Sequence, residues 1–169
     1  MRYDWETQIE KIYPPVTSQA IGAIEREMGV SLPEDYRSFL LVANGGIFFG
    51  SPQFRYWTSA SDGSRNVEVA HLRIICGLDP RNEDLEIRSL RCSQEWYGFN
   101  EEVPPKYVAI GHPHHHAVIC ISTAGDDAGA VYIWEPAELG VPGDFPEEYL
   151  YRIAGSFHEF LESLESRQE

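Results

Sequence analysis

Apolar residues recur at helical spacing between residues 32 and 46, and both ends of a short helix are marked there. Pro33 suits the first helical position, because its missing N–H costs nothing there. The apolar stripe has the spacing i, i+3, i+4, i+7 and consists of Tyr36, Phe39, Leu40 and Ala43. Asn44-Gly45-Gly46 accepts left-handed dihedrals, so it is predicted to end the helix and turn the chain.

Other stretches show the same helical pattern. A helix is predicted just before, capped by Thr17 or Ser18 and stopped by Gly29. A shorter helix is predicted near Trp5 and Ile9, ended by Pro14-Pro15, and another over residues 82–96.

The C-terminal region repeats the i, i+3, i+4, i+7 stripe. Ser156 and Glu159 have the spacing of a capping box, in which each residue satisfies a backbone N–H at the start of a helix. The apolar positions that follow are Phe157, Phe160, Leu161 and Leu164. This pattern predicts a closing helix.

Between these helices the pattern changes to short aromatic and β-branched runs, which are typical of strands. These runs cover residues 47–49, 54–57, 107–110, 118–122 and 131–134, with 149–154 as a further candidate and 67–76 as either strand or helix. Residues 59–66 and 123–129 are predicted to be connecting loops. This order of elements predicts an α+β fold with N-terminal helices, a sheet of about six strands and a closing C-terminal helix. The sheet is expected to be mainly antiparallel, and a mixed sheet is the alternative.

Length and composition limit the class of protein. With 169 residues, 43% of them hydrophobic, residues 1–169 are predicted to form a single globular domain. No apolar run approaches the roughly 20 residues that cross a bilayer, and the N-terminus lacks the apolar core of a secretory signal. We therefore expect a cytoplasmic protein that does not act at a membrane. The odd number of cysteines, without a C-x-x-C motif, favours reduced thiols.

The formal net charge is −14, and it is concentrated in the last quarter of the chain. Eleven acidic and two basic residues lie between Asp126 and Glu169. Such a surface repels nucleic acid and anionic lipid, whereas it attracts a basic protein and steers its approach. Solubility alone is an equally good explanation of the charge.

The most conspicuous candidate for chemistry is a histidine cluster, and His112, His114 and His116 are its weak candidate metal ligands. The cluster lies between two predicted strands, where an exposed hairpin loop is the simpler interpretation, and a third convergent ligand is not evident. No P-loop, G-x-S-x-G, H-E-x-x-H or G-x-G-x-x-G motif is present in the sequence. We therefore expect no catalytic residues, no cofactor and no metal.

Four segments together resemble the SMI1/KNR4 (SUKH) superfamily. The first is Leu-Pro-Glu-Asp-Tyr-Arg-Ser-Phe-Leu-Leu-Val-Ala-Asn-Gly-Gly at 32–46. The others are Pro-Pro-Lys-Tyr-Val-Ala-Ile-Gly at 104–111, Gly-Ala-Val-Tyr-Ile-Trp-Glu at 129–135 and Ser-Phe-His-Glu-Phe-Leu-Glu-Ser-Leu at 156–164. The resemblance implies the same α+β fold. The histidines depart from the small polar residues usual in that loop of the family.

The resemblance also implies a function. Many bacterial members are immunity proteins that neutralise a cognate toxin, often a nuclease or deaminase, and such a toxin is expected to be basic at its working face. The alternatives are a regulatory or scaffold module, as in fungal relatives linked to cell-wall signalling, and a metal-dependent enzyme using the histidine cluster. The mixture of aromatic and acidic residues suggests a protein-binding surface. Its expected contributors are Trp57, Asp126, Asp127, Trp134, Glu135 and Glu138.

Overall fold

A computed structural model describes residues 2–11, 13–59, 63–78, 90, 93, 103–113, 116–135 and 149–166. The first half contains β1 (Ile9–Lys11), α1 (Ser18–Met28), α2 (Glu34–Val42), β2 (Gly46–Phe48), β3 (Gln53–Ser59) and β4 (Arg65–Ile75). The second half contains β5 (Tyr107–Pro113), β6 (Val118–Ser122), β7 (Val131–Trp134), β8 (Leu150–Ala154) and α3 (Phe157–Ser163). The predicted α+β class is confirmed. The helix predicted over residues 82–96 lies outside the described residues, except for Leu90 and Ser93, which are both helical and buried.

In the described part of the chain the sheet has eight strands rather than about six, and every described pairing is antiparallel. The strand order is β1-β2-β4-β5-β6-β7-β8, with β3 also paired to β4. β4 is 11 residues long. Residues 65–71 of β4 pair with β3, and its last residues pair with β2 and β5. The hairpin of β3 and β4 therefore extends beyond the strands that flank the end of β4.

The predicted first helix is wrong, because Ile9–Lys11 forms β1 and pairs with β2. Ile9 lies opposite Phe48, and its side chain occupies the space that a Cβ at Gly46 would need. So short a segment has only a weak helical preference, whereas pairing with β2 gives its backbone groups hydrogen-bond partners.

The predicted helix ends are confirmed at α1 and α3. Thr17 Oγ1 accepts a hydrogen bond from Ala20 N at 3.2 Å, and Gly29 has a left-handed φ of 68°. Ser156 Oγ accepts a hydrogen bond from Glu159 N at 3.1 Å. The Glu159 carboxylate in turn accepts one from Gly155 N at 2.8 Å, so the box closes one residue earlier than predicted.

The turn after α2 packs backbone against backbone. Asn44 is buried with a positive φ of 48°, and its side-chain amide donates to Pro14 O at 2.7 Å and to Leu78 O at 3.0 Å. Leu78 N donates to Asn44 Oδ1 at 2.8 Å. Gly45 has a φ of 84°, and a Cβ there would lie 2.7 Å from Gly77 N. Since neither glycine leaves room for a side chain, this contact holds the start of β2 beside the end of β4.

One face of the sheet packs against α1, α2 and α3 and forms the main core. Aromatic rings connect its layers: Tyr36 and Phe39 of α2 contact Phe157, and Phe54 of β3 contacts Phe160 with ring centroids 5.3 Å apart. A second, smaller cluster lies on the opposite face and comprises Val103, Tyr107, Ala109, Val118, Cys120 and Trp134. As a result, β5 and β6 are buried at every position. Among the described helices, none is long and apolar enough to span a membrane.

Phe160→Ala tests the main core. The ring of Phe160 is fully buried against Phe54 and Phe157, so its removal is expected to lower the free energy of unfolding by about 4 kcal/mol. Phe49→Ala is the matched control, because the Phe49 side chain is 54% exposed, and its loss is expected to stay within about 0.5 kcal/mol. Urea denaturation of the two variants measures both values. Equal losses would contradict this placement of Phe160.

Candidate protein-binding surface

The β3–β4 hairpin exposes one of its faces. Along β3, Phe54 and Tyr56 are buried in the main core, whereas Arg55 and Trp57 point the other way and are exposed. This is the alternation of a strand that is covered on one face only. It contrasts with β5 and β6, which are covered on both faces.

The strand register places a group of neighbouring side chains, most of them apolar, on that exposed face. Trp57 lies opposite Val67, and Arg55 lies opposite Val69. The exposed fractions are 58% for Trp57 and 48% for each valine. We call Arg55, Trp57, Val67 and Val69 the hairpin patch. Contiguous exposed apolar groups of this kind are typical of interaction sites.

A cleft of about 770 Å³ lies next to the hairpin patch. One wall is the end of β3, from Trp57 to Ser59, together with Arg65. The other wall is β8, followed by Gly155 and Glu159. The volume falls in the range of about 300–1,000 Å³ that is usual for binding clefts.

The structure places the residues predicted from the sequence in different environments. Trp57 and Asp126 are exposed. Trp134 is fully buried, so its predicted place on the surface is wrong. Trp134 packs instead in the second cluster, beside Val118 and Cys120, so the side of β7 that carries it is covered. Glu138 lies outside the described residues.

Asp127 has hydrogen-bond partners within the chain. Its carboxylate accepts hydrogen bonds from Lys106 Nζ at 3.0 Å, Ser122 Oγ at 3.1 Å and Tyr132 OH at 2.9 Å. Burial raises the pKa of this carboxyl, but the three donors outweigh burial and lower the pKa to about 2. Asp127 therefore fixes the β6–β7 connection, and none of its three partners belongs to the hairpin patch.

Glu135 also contacts the chain itself. Its carboxylate accepts a hydrogen bond from Tyr56 OH at 2.5 Å, which joins β3 to the end of β7. Burial, followed by this hydrogen bond, raises the pKa of Tyr56. The basic residues Arg55 and Arg65 lie beside Trp57, and Arg55 forms an ion pair with Glu165 at 3.4 Å.

The histidine cluster is divided by the structure. His112 belongs to β5, is 2% exposed, and lies with its Nε2 2.8 Å from Ser93 Oγ. Burial lowers its pKa to about 4. His116 is exposed, and His114 lies outside the described residues. Within the part of the chain that the structure describes, no group of three or more His, Cys, Asp or Glu side chains is placed to hold a metal ion.

Sequence reasoning missed Val67, Val69, Arg65 and Arg152. The signal for the valines was present, since Val67 and Val69 alternate with polar residues as in a half-exposed strand. It was not usable because residues 67–76 fitted either a strand or a helix. The two arginines line the same cleft because β3 packs near β8, and no local pattern in the sequence records this packing.

Comparison with protein-family models gives a match to the SMI1/KNR4 family (SUKH-1) over residues 15–163. The chain belongs to this family. SUKH domains are generally non-enzymatic, and the family includes immunity proteins and is associated with binding toxins. A comparison with curated proteins finds no match. Within this SUKH chain, the match covers both the hairpin patch and the cleft.

Asp127→Asn tests the role of the carboxylate. Its pKa is lower in the folded than in the unfolded chain, so its charge stabilises the fold above about pH 4, and this stabilisation is lost as the pH falls toward about 2. The variant is expected to lose about 2 kcal/mol of unfolding free energy near neutral pH and to approach the parent at low pH. Urea denaturation across this pH range measures the difference.

Asp126→Asn is the control for Asp127→Asn, because the carboxylate of Asp126 is exposed. Its effect is expected to stay within about 0.5 kcal/mol. A difference between parent and Asp127→Asn that does not change with pH would contradict the role given to the charge.

Proposed function

We propose that this chain is a non-enzymatic protein-binding domain that acts as an immunity protein and neutralises a cognate toxin by occluding it. The observation that carries the proposal is the hairpin patch, in which a tryptophan with 58% exposure lies between arginine and valine side chains. The family adds support, since it includes immunity proteins.

The composition of the patch suits a binding anchor. Tryptophan and arginine are enriched among the residues that contribute most to protein–protein affinity, and aromatic anchors act through complete burial in the complex. Trp57 is held on a hairpin whose opposite face is buried in the main core through Phe54 and Tyr56. The backbone beneath the indole is therefore fixed before binding, which limits the entropy lost on association.

The overall charge acts at longer range. With a formal net charge of −14, the chain attracts a basic partner and repels nucleic acid. A toxin that acts on nucleic acid is expected to be basic where it contacts its substrate. The acidic protein thus favours encounter with that working face.

The proposal is tested by co-expressing this chain with the product of the adjacent gene. The expected result is a stable complex in which the toxic activity of the partner is lost. A partner that neither binds nor loses activity would overturn the immunity role. A regulatory or scaffold role would instead be supported by a locus without a toxin gene.

Trp57→Ala is expected to weaken the complex at least about 30-fold, equivalent to about 2 kcal/mol, mainly through faster dissociation. Phe49→Ala is the matched control, because Phe49 is an aromatic residue with 54% exposure that lies outside the hairpin patch. Surface plasmon resonance with the purified partner measures both variants. Equal affinities for the two variants would show that the hairpin patch is not the anchor.

The association rate is expected to fall at least about tenfold as monovalent salt rises from about 50 mM to about 500 mM, because salt screens attraction between opposite charges. The dissociation rate, which reports on short-range contacts, is expected to change much less. Stopped-flow mixing at several salt concentrations separates the two rates. An association rate that salt leaves unchanged would contradict steering by charge.

A further inference from the structure

We propose that Tyr56 and Glu135 form a tether that sets the position of the β3–β4 hairpin, and thereby of Trp57, for binding the partner protein. Both are positioning residues, because they act on Trp57 through the hairpin backbone rather than through contact with the partner. The inference rests on the proposed function and specifies how its binding anchor is held in place.

Several contacts hold the root of the hairpin, which is the end farthest from its tip. Gln53 N donates to Glu165 O at 2.9 Å, and Glu165 N donates to Gln53 O at 2.9 Å. Arg55 forms an ion pair with Glu165 at 3.4 Å. The rings of Phe54 and Phe160 pack edge to face, with centroids 5.3 Å apart. The root is therefore joined to α3 and to the segment that follows it.

The tip of the hairpin is more exposed than its root. Residues 65–69 of β4 are all exposed, and they pair with β3. On β3, Trp57 and Ser59 are exposed, and Thr58 is half-buried. Tyr56 is thus the buried residue closest to the tip among the described residues of the hairpin. Because a two-stranded hairpin alone is only marginally stable in water, the order of the tip depends on what Tyr56 contacts.

Tyr56 connects the hairpin to the strands at the other end of the sheet. Its ring packs beside that of Tyr151 in β8, with centroids 6.1 Å apart. Its hydroxyl donates to the Glu135 carboxylate at 2.5 Å. Glu135 directly follows β7, and its own N–H donates to Tyr149 O at 3.1 Å, so the acceptor is fixed to the sheet. A hydrogen bond to an ionised acceptor is roughly twice as strong as one between neutral groups.

The tether acts on Trp57 because Trp57 and Tyr56 are neighbours on one strand. Adjacent side chains of a strand point to opposite faces, so Tyr56 points into the main core and Trp57 points to solvent. Fixing the side chain of Tyr56 also fixes the backbone that carries the indole. This lowers the entropy that is lost when the partner buries the indole. Glu135 thereby contributes to binding without lying in the interface.

The first experiment tests the tether in the chain without a partner. Tyr56→Phe removes the hydroxyl and keeps the ring, so the packing against Tyr151 is retained. Amide hydrogen exchange followed by NMR is expected to become at least about fivefold faster within residues 55–59 and 65–69, because the hairpin opens more often without the hydrogen bond. Unchanged exchange in these residues would overturn the inference.

Tyr132→Phe is the matched control for Tyr56→Phe. It removes another tyrosine–carboxylate hydrogen bond, from Tyr132 OH to Asp127 at 2.9 Å, and neither residue belongs to the hairpin. We expect it to leave exchange in the hairpin unchanged. Glu135→Ala is expected to act like Tyr56→Phe, whereas Glu135→Gln keeps an acceptor oxygen and is expected to retain most of the protection. Equal exchange in the hairpin of Tyr56→Phe and Tyr132→Phe would contradict a specific tether.

The second experiment measures binding of the adjacent-gene product by surface plasmon resonance. Tyr56→Phe is expected to slow association at least about threefold, because fewer molecules hold the hairpin in the binding position. Dissociation is expected to stay nearly unchanged, since the complex has the same contacts once it has formed. Trp57→Ala differs, because it acts mainly through faster dissociation. Tyr132→Phe is expected to change neither rate.

The outcomes distinguish this inference from the proposed function. If exchange in the hairpin rises in Tyr56→Phe but both binding rates match those of the parent, the hydrogen bond is structural only and the positioning role is overturned. If Glu135→Ala weakens binding further in the Tyr56→Phe background, Glu135 contacts the partner directly, which also overturns it. If the parent chain does not bind the adjacent-gene product, the proposed function fails, whereas the exchange measurement still decides on the tether.

Discussion

The contact between the Asn44–Gly46 turn and the Gly77 segment is the constraint on which the rest of the fold depends. Two backbones approach too closely for a side chain at Gly45 or Gly77, and the buried Asn44 amide satisfies backbone groups of both Pro14 and Leu78. A buried carboxamide with its hydrogen bonds formed is strongly position-specific, because any shift leaves polar groups unpaired. The start of β2 is thereby fixed at the end of β4.

The exposed β3–β4 hairpin follows from this contact between the turn and the Gly77 segment. β2 and β3 continue along the same edge of β4, whereas β5 pairs with residues 72–75 on the opposite edge. Since β4 is longer than β2, β3 or β5, its first part pairs with β3 alone and extends beyond the other strands. One face of this extension is buried through Phe54 and Phe160, and the other carries Trp57 to the surface. The same extension places the end of β3 opposite β8, which creates the cleft. Fold and candidate site thus have one structural origin.

Much of the fold could be predicted because its signals are local. The caps at Thr17 and Ser156, the stop at Gly29 and the apolar stripes depend on residues within a turn or two of each other. The strand at Ile9–Lys11 was missed, since it forms by pairing with β2, which is distant in sequence. Trp134 was misplaced for a similar reason: alternation predicts two faces of a strand but does not say whether the second is covered. The cleft depends on the packing of β3 near β8, two strands distant in sequence, and leaves no local pattern in the sequence.

The central claim is that this SUKH domain binds another protein through the β3–β4 hairpin and the adjoining cleft. A crystal structure of the complex with the adjacent-gene product tests it most directly. We expect Trp57 to lose most of its 58% exposure when the partner binds. A complex in which the partner occupies another face, with Trp57 still exposed and the cleft empty, would contradict the account.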